Sequence, residues 1–535
     1  MTLIQLPDEP GNDLGEILCY CPGREAAHSM SEFVIITCHA SGRLYFGQVA
    51  AAQRNYNRTG LTAREEGTLS ALEAIHEGTY NRESAVEEAF MYPVLLLRDV
   101  TSGRPEVITR RPQIASVART ATEEEVVRYM ALPEPNPATC IGKVSGSEVG
   151  IYYDRKRLVY HSLLAGSTGA GKSNTGANLI KTSCALGFAT VVYDHKPDYQ
   201  DMERPNEDAP EEERWAATVS RWSLEGGSNG RNQILVPASS FDPAMLAATL
   251  FPYDNERQQR EDMESTLEIF ADEQDDRSAG HWTLADWFDW FCGDAGASVA
   301  PAAVEQKLGY APNKATLGSM LRKVSRPSRK PSWVDGVNVS PRHRGRQTAG
   351  SAGFMGRPGA RRPQWFNPIE QLAAGEVLCI KVNGSEAGRD YGLFLDFMLR
   401  QVYNARIEQD CPPVHHFIDE AQDIFCASKG FREAAEQTLS TQIRKGRSKS
   451  IAFTIAVQSA EAIPSDILNN LNSKIIMRHN SATEVKTAIG KATDAQRQQT
   501  AFFGPGQALV DLFGSTAVVQ GQMRLSPFEL TREAE

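Results

Sequence analysis

The sequence predicts an α/β protein: a parallel-rich sheet carrying a phosphate site, a small β-barrel before it and a helical insertion within it. Three observations predict this class. An apolar run, LVYHSLLAG, enters the glycine loop GSTGAGKS at 166–173; a helical stretch and the β-branched run FATVVYDHKPDY follow. Strand, loop, helix, strand is the repeating unit of a parallel sheet. Residues from about 15 to 110 hold short Val/Ile/aromatic-rich runs with Gly and Pro clusters between several of them, the pattern of a small barrel or sandwich. From 201 to 365 both patterns give way to helix-like segments and runs of one charge sign.

Taken in order, GEILCYC, EFVIITCHA, RLYFGQVAAA, YPVLLLRDV and PEVITRR are expected strands, with TAREEGTLSALEAIHEG a helix among them. A short helix, TATEEEVVRYMAL, leads to the Pro-rich linker PEPNPATCIG, so residues 1–135 form the barrel domain. The core is expected at 136–200 and 366–525. Its second part runs through EVLCIKVNG, the helix YGLFLDFMLRQVYNARI, VHHFIDEAQDIF, another helix, SIAFTIAVQSA, NSKIIMRH and GQALVDLF, with a strand and tail in 500–535. The insertion, 201–365, opens with seven acids between 201 and 213. Four helical segments follow (DPAMLAATLFP, REDMESTLEIFADE, TLADWFDWFCG, ATLGSMLRKV). It closes with a Gly/Pro/Ser-rich stretch, 322–362, holding eleven Lys or Arg against one acid, Asp335.

Composition narrows the function. With 535 residues, 41% hydrophobic and 23% charged, the chain can bury a sizeable core; a net charge of −11 excludes a surface coated in cations for nucleic acid. It leaves room for a local basic lining, which responds to its own charges. Nine cysteines with no C-x-x-C signal neither a zinc site nor a disulfide framework, and fit thiols in a reducing compartment. The N-terminus lacks a signal-peptide pattern and no run nears the roughly 18 apolar residues that span a bilayer. A soluble, cytoplasmic protein with no membrane partner is expected.

The loop fits the G-x-x-x-x-G-K-[ST] spacing. Its glycines let backbone N–H groups approach phosphate oxygens, and the helix that follows presents its N-terminus to the same anion. Lys172 is expected to reach the β- and γ-phosphates of ATP and the Ser173 hydroxyl to ligate Mg2+. In FIDEAQD, Asp419 ends an apolar strand as a metal-coordinating acid, and Glu420 is the expected general base toward water. Lys172 and Asp419 are 247 residues apart, far more than two or three βα units need, which requires the insertion. Gln458, at the end of SIAFTIAVQSA, is a candidate sensor. In IRKGRSKS, Arg444, Lys445, Arg447 and Lys449 either cap a helix C-terminus or supply an arginine finger to a neighbouring subunit.

These stretches, with IGKVSGSEVGIYYD and AEAIPSDILNNLNSKIIMR, resemble the HerA branch of the HerA/FtsK ATPases. The resemblance is good over about 141–200 and 370–525, loose in the barrel and poor across 201–365. It implies a RecA-like P-loop ATPase core and a hexameric ring that hydrolyses ATP and pumps double-stranded DNA. By position it assigns the nucleotide to Gly166, Ser167, Thr168, Gly169, Ala170, Gly171, Lys172, Ser173 and Asn174. The metal falls to Ser173 and Asp419, and catalysis to Glu420, Lys172, Gln458 and Arg447, with Arg444 in reserve. The family's usual Gly-Glu-Tyr ending after the second strand is here Asp194-His-Lys-Pro-Asp198-Tyr199, which leaves a role for Asp198 open. Such motors work with a nuclease or an antiviral effector, nuclease or NAD-consuming. No second catalytic constellation stands out here, so the effector is expected on a partner chain. His415 and His416 adjoin on a strand and face opposite ways. Residues 322–362, with Trp333, Phe354 and Trp365 nearby, read either as a DNA-gripping surface or as a solvated or partner-docking loop. Two functions share every motif: a DNA translocase, or an ATP-gated scaffold that assembles and regulates an effector.

Overall fold

The computed structural model describes residues 2–5, 15–21, 29–50, 53–56, 89–113, 116–224, 232–251, 253–276, 280–292, 305–306, 314–325, 331–335, 365–382, 387–425 and 429–531. The chain divides into two compact units. One comprises 1–157, 163–182 and 472–525, the other 158–162, 183–471 and 526–535.

The first unit opens with seven strands: β1 (Thr2–Gln5), β2 (Glu16–Cys21), β3 (Phe33–Cys38), β4 (Arg43–Val49), β5 (Gln53–Tyr56), β6 (Ala89–Asp99) and β7 (Val117–Thr120). Their order is β2-β1-β7-β3-β4-β6-β5, all antiparallel, and β2 also pairs with β6, which closes six of them into the expected barrel. Alternate residues fill it: Val34, Ile36, Tyr45 and Val94 are fully buried. PEVITRR is not a strand. Only Glu106 bridges back to Asp99, because Pro105 has no N–H to add to a ladder. The segment TAREEGTLSALEAIHEG lies outside the described residues. The helix Glu123–Tyr129 forms as expected, opened by a capping box between Thr122 and Glu125.

Among the described residues twelve further strands follow: β8 (Cys140–Val144), β9 (Gly150–Tyr152), β10 (Ser162–Ala165), β11 (Ala189–Asp194), β12 (Val219–Ser223), β13 (Asn232–Gln233), β14 (Val377–Lys381), β15 (Val414–Ile418), β16 (Ile451–Val457), β17 (Ser473–Ile476), β18 (Gln507–Asp511) and β19 (Val519–Met523). In the first unit β17, β18, β19, β8 and β9 form consecutive antiparallel pairs. Gln48 and Gln496 fasten the barrel to this sheet, with Gln48 Nε2 donating to the Val518 carbonyl at 3.0 Å and Gln496 Nε2 to Ser31 Oγ at 3.2 Å.

In the second unit β13-β12-β14-β11-β15-β16 are parallel throughout. Every residue of β11, β15 and β16 is buried, which is why these strands read as continuous apolar runs: a parallel sheet is covered on both faces. His415 and His416 are core residues, bonded at 2.8 Å to Thr454 Oγ1 and 3.0 Å to the Tyr193 hydroxyl, and burial depresses both to about 3. β12 and β13 come from the stretch expected to be helical. The four expected helices are present as Pro243–Leu250, Arg257–Asp276, Leu284–Cys292 and Lys314–Ser325.

The basic stretch requires correction where it is described. Trp333 is 1% exposed, its ring 5.6 Å from Phe241 and 5.5 Å from Phe394, so it is core and not a nucleic-acid platform. Lys323 is buried on Glu256 at 2.5 Å, and Asp335 accepts the Ala238 and Leu284 amides. Arg342, Arg344, Arg346 and Phe354 lie outside the described residues. Among the described residues no helix is long and apolar enough to cross a membrane, and Cys19, Cys38, Cys140, Cys184, Cys379 and Cys411 are buried and in no disulfide.

Candidate active site

β10 ends at Ala165 and the helix Lys172–Ala185 begins six residues beyond Gly166. Between them Gly169 and Gly171 take φ of +74° and +102°, a region that other residues enter at a cost. A Cβ on Gly171 would also lie 3.0 Å from the Gly506 amide nitrogen. The loop is fastened on its own unit. The Ser167 amide donates to the Arg478 carbonyl at 3.0 Å, and the Gly506 amide to Ala170 at 2.9 Å. Arg478 returns a guanidinium: Nη2 donates to the Thr168 carbonyl at 3.0 Å and Nε to Ser167 Oγ at 3.3 Å. Lys172 Nζ reaches back across the loop to the Gly166 carbonyl at 2.8 Å. Ser173 and Asn174 stand in the first helical turn, where amides lack intrahelical partners, and no acidic side chain occupies that turn. A loop with these properties is built to receive an anion.

In the second unit, parallel pairing aligns the carboxyl ends of β11, β15 and β16 on one sheet edge. Asp194, Asp419, Glu420 and Gln458 stand there, at the edge where open α/β sheets place ligands. Asp419 is buried, and its carbonyl accepts the Tyr391 hydroxyl at 3.1 Å. Glu420 has φ +47°, an uncommon region for a side chain with a Cβ and one that concentrates at functional sites. Its carboxylate is held at both oxygens. Gln458 Nε2 donates to Oε2 at 3.1 Å and to Oε1 at 3.3 Å, Lys196 Nζ to Oε1 at 2.6 Å, and Gln422 Nε2 to Oε2. Two residues singled out from sequence, Glu420 and Gln458, are therefore in direct contact.

Beside them Asp194 is sealed from solvent. Burial first, then the carboxylates of Asp419 and Asp198, push its carboxyl well above the usual range, and it accepts from Gln200 Nε2. His195 Nε2 stands 3.0 Å from Asp423 Oδ2. In the segment DHKPDY, Lys196 is the residue seen bonded to Glu420.

Arg444 and Arg447 are exposed. Arg444, in the last turn of the helix Lys429–Gly446, bonds only weakly to the Ser440 carbonyl at 3.3 Å. Arg447 opens the short 3-10 turn Arg447–Lys449, its guanidinium 4.5 Å over the Tyr160 ring, a cation–π contact available to a side chain otherwise in water.

Sequence reading passed over Lys196, Gln422 and Arg478. The first two carry a local signal, since Lys196 lies two residues and Gln422 three residues beyond the acid that ends its strand. Arg478 follows an apolar strand and gave none.

A glycine loop opening a helix, and a parallel sheet whose carboxyl edge carries Asp, Glu and Gln, define a P-loop ATPase fold with a RecA-like core. Within it, residues 139–291 match the family model described as the central domain of the helicase HerA, so the likeness to HerA-type ATPases holds over that stretch. Similar solved structures include the bacterial conjugative coupling protein TrwB lacking its first 70 residues, at 14% identity, covering 77% of this chain and 95% of that one with a TM-score of 0.47. TrwB in complex with ADP and Mg2+ is similar at 13% identity, with 77% and 94% coverage and a TM-score of 0.47. VirB4 of Thermoanaerobacter pseudethanolicus is similar at 11% identity, with 74% and 98% coverage and a TM-score of 0.48. No curated protein matches the chain.

Proposed function

We propose that this chain is a Mg2+-dependent ATPase that assembles into a ring, a hexamer as the HerA likeness suggests, and moves double-stranded DNA in concert with a nuclease or defence effector. The observation that carries the hydrolytic part is the Glu420–Gln458 contact at the end of a buried strand. A site that only binds nucleotide has no use for a carboxylate held at strained backbone beside an amide. In this reading the loop amides and Lys172 bind the phosphates. Ser173 and Asp419 are oxygen donors suited to a hard cation, and Mg2+, when bound, offsets charge on the phosphoryl oxygens. Glu420 accepts the proton of the attacking water, and Gln458 orients that water.

DNA-stimulated ATP turnover, together with ATP-dependent displacement of a strand from a triplex, is the expected result. Turnover indifferent to DNA but altered by a partner protein would favour the effector-regulating scaffold instead. The grip on DNA is assigned to the basic stretch. Replacing Arg342, Arg344 and Arg346 with Glu should weaken binding and flatten the log–log salt slope by about 2–3; unchanged binding overturns that assignment.

Arg447 is proposed as the cation supplied to the neighbouring subunit. Arg447→Ala should keep ATP binding and lower turnover by about a thousandfold in the assembled protein. An equal loss in isolated monomers would show that it acts within its own chain.

A further inference from the structure

We propose that Lys196 is a positioning residue that restrains Glu420, and that its ammonium must withdraw before Glu420 can accept a proton from water. The inference rests on the reading of Glu420 as the general base.

A carboxylate offers about four lone-pair positions, two on each oxygen. In this structure all four are engaged: Oε1 receives Lys196 Nζ and Gln458 Nε2, and Oε2 receives Gln458 Nε2 and the Gln422 amide. A water presented for deprotonation has no acceptor site left. One donor has to leave, and Lys196 is the one equipped to do so. Gln458 directly follows β16, Gln422 opens the short helix Gln422–Phe425 that follows β15, and both are neutral donors. Lys196 lies two residues past the end of β11, its side chain 48% exposed against 5% for Glu420. A half-exposed ammonium loses little by rotating into solvent on its flexible stem, whereas the buried carboxylate has nowhere to go.

The amides of Gln458 and Gln422 fix the direction of the carboxylate. After Lys196 leaves they still hold Glu420, and water can take the position on Oε1 that the ammonium held. Asp419 and Asp198 also attract the ammonium, so its displacement from Glu420 does not require leaving the neighbourhood.

The test compares Lys196→Met, Lys196→Arg and Glu420→Gln in the full chain by steady-state ATP turnover without activator, with nucleotide affinity measured separately. Lys196→Met should raise resting kcat about three- to fivefold, the scale on which a half-exposed ion pair acts, with KM and ATP affinity unchanged. Lys196→Arg, which keeps the cation, should stay near the parent. A fall or no change in kcat for Lys196→Met, with binding intact, overturns the restraint. So does an equal rise in both Lys196 variants. Were Lys196→Met to lose fold and binding together, a failure of Lys196→Gln to raise kcat would overturn it too. If Glu420→Gln instead retains parent turnover, the reading of Glu420 as base is what fails, and the restraint falls with it.

Discussion

Glu420→Gln is expected to bind ATP as the parent does and to turn it over at least about a hundredfold more slowly, the scale of a lost general base. The substitution is nearly isosteric, so the backbone at φ +47° is asked to do nothing new. The change is chemical: an amide oxygen is too weakly basic to hold the proton of a water attacking phosphorus. Packing should survive because the partners can adapt. The new amide nitrogen would face one of the donors now on Glu420, and the side-chain amides of Gln458 and Gln422 can rotate to present oxygen instead. Single-turnover hydrolysis and a binding titration on the same preparation separate the two effects. Parent-like hydrolysis would remove Glu420 from the chemistry. Binding lost in step with hydrolysis would make it a structural residue.

Why so much of this was legible in sequence, and why part was not, follows from burial. β11, β15 and β16 are buried along their whole length, so nothing polar interrupts their apolar runs and each run ends where the sheet edge begins. Asp419, Glu420 and Gln458 could be placed at strand ends for that reason alone. β12 and β13 read as VSRWS and NQ, a half-buried strand and a two-residue exposed edge whose polar residues carry no strand pattern. The strands β1 and β7 have four residues each, too few to show alternation. Trp333 sits in a basic run, and composition alone does not separate an aromatic that stacks on a base from one that fills a core. Lys196 was visible as a residue but its partner was not: the pair is 224 positions apart in sequence, brought together by strands that are neighbours only in the folded sheet. Arg478 and Ser167, 311 positions apart, were hidden in the same way.

Lys172→Ala is expected to abolish nucleotide binding, and turnover with it. Lys172 Nζ is 2.8 Å from the Gly166 carbonyl, so the side chain braces the first residue of the loop against the first residue of the helix. Alanine is the best helix former and should leave the helix Lys172–Ala185 intact, so the loss is confined to the loop and its charge. Without the ammonium, no lysine in the motif offsets the β- and γ-phosphate charge, and the backbone amides hold that charge alone. Arginine is not a substitute, because a planar fork cannot replace a compact point charge beneath a phosphate. Thermal or denaturant unfolding with and without ATP reads the effect directly. A ligand at 100 times its Kd stabilises the folded parent by about 2.7 kcal/mol, and the variant should gain nothing at the same concentration. If ATP still stabilised Lys172→Ala as it does the parent, the glycine loop would not be the phosphate site. Glu420→Gln must behave in the opposite sense, gaining full stabilisation from ATP while losing turnover. Only that split assigns binding to the loop and bond cleavage to the strand end.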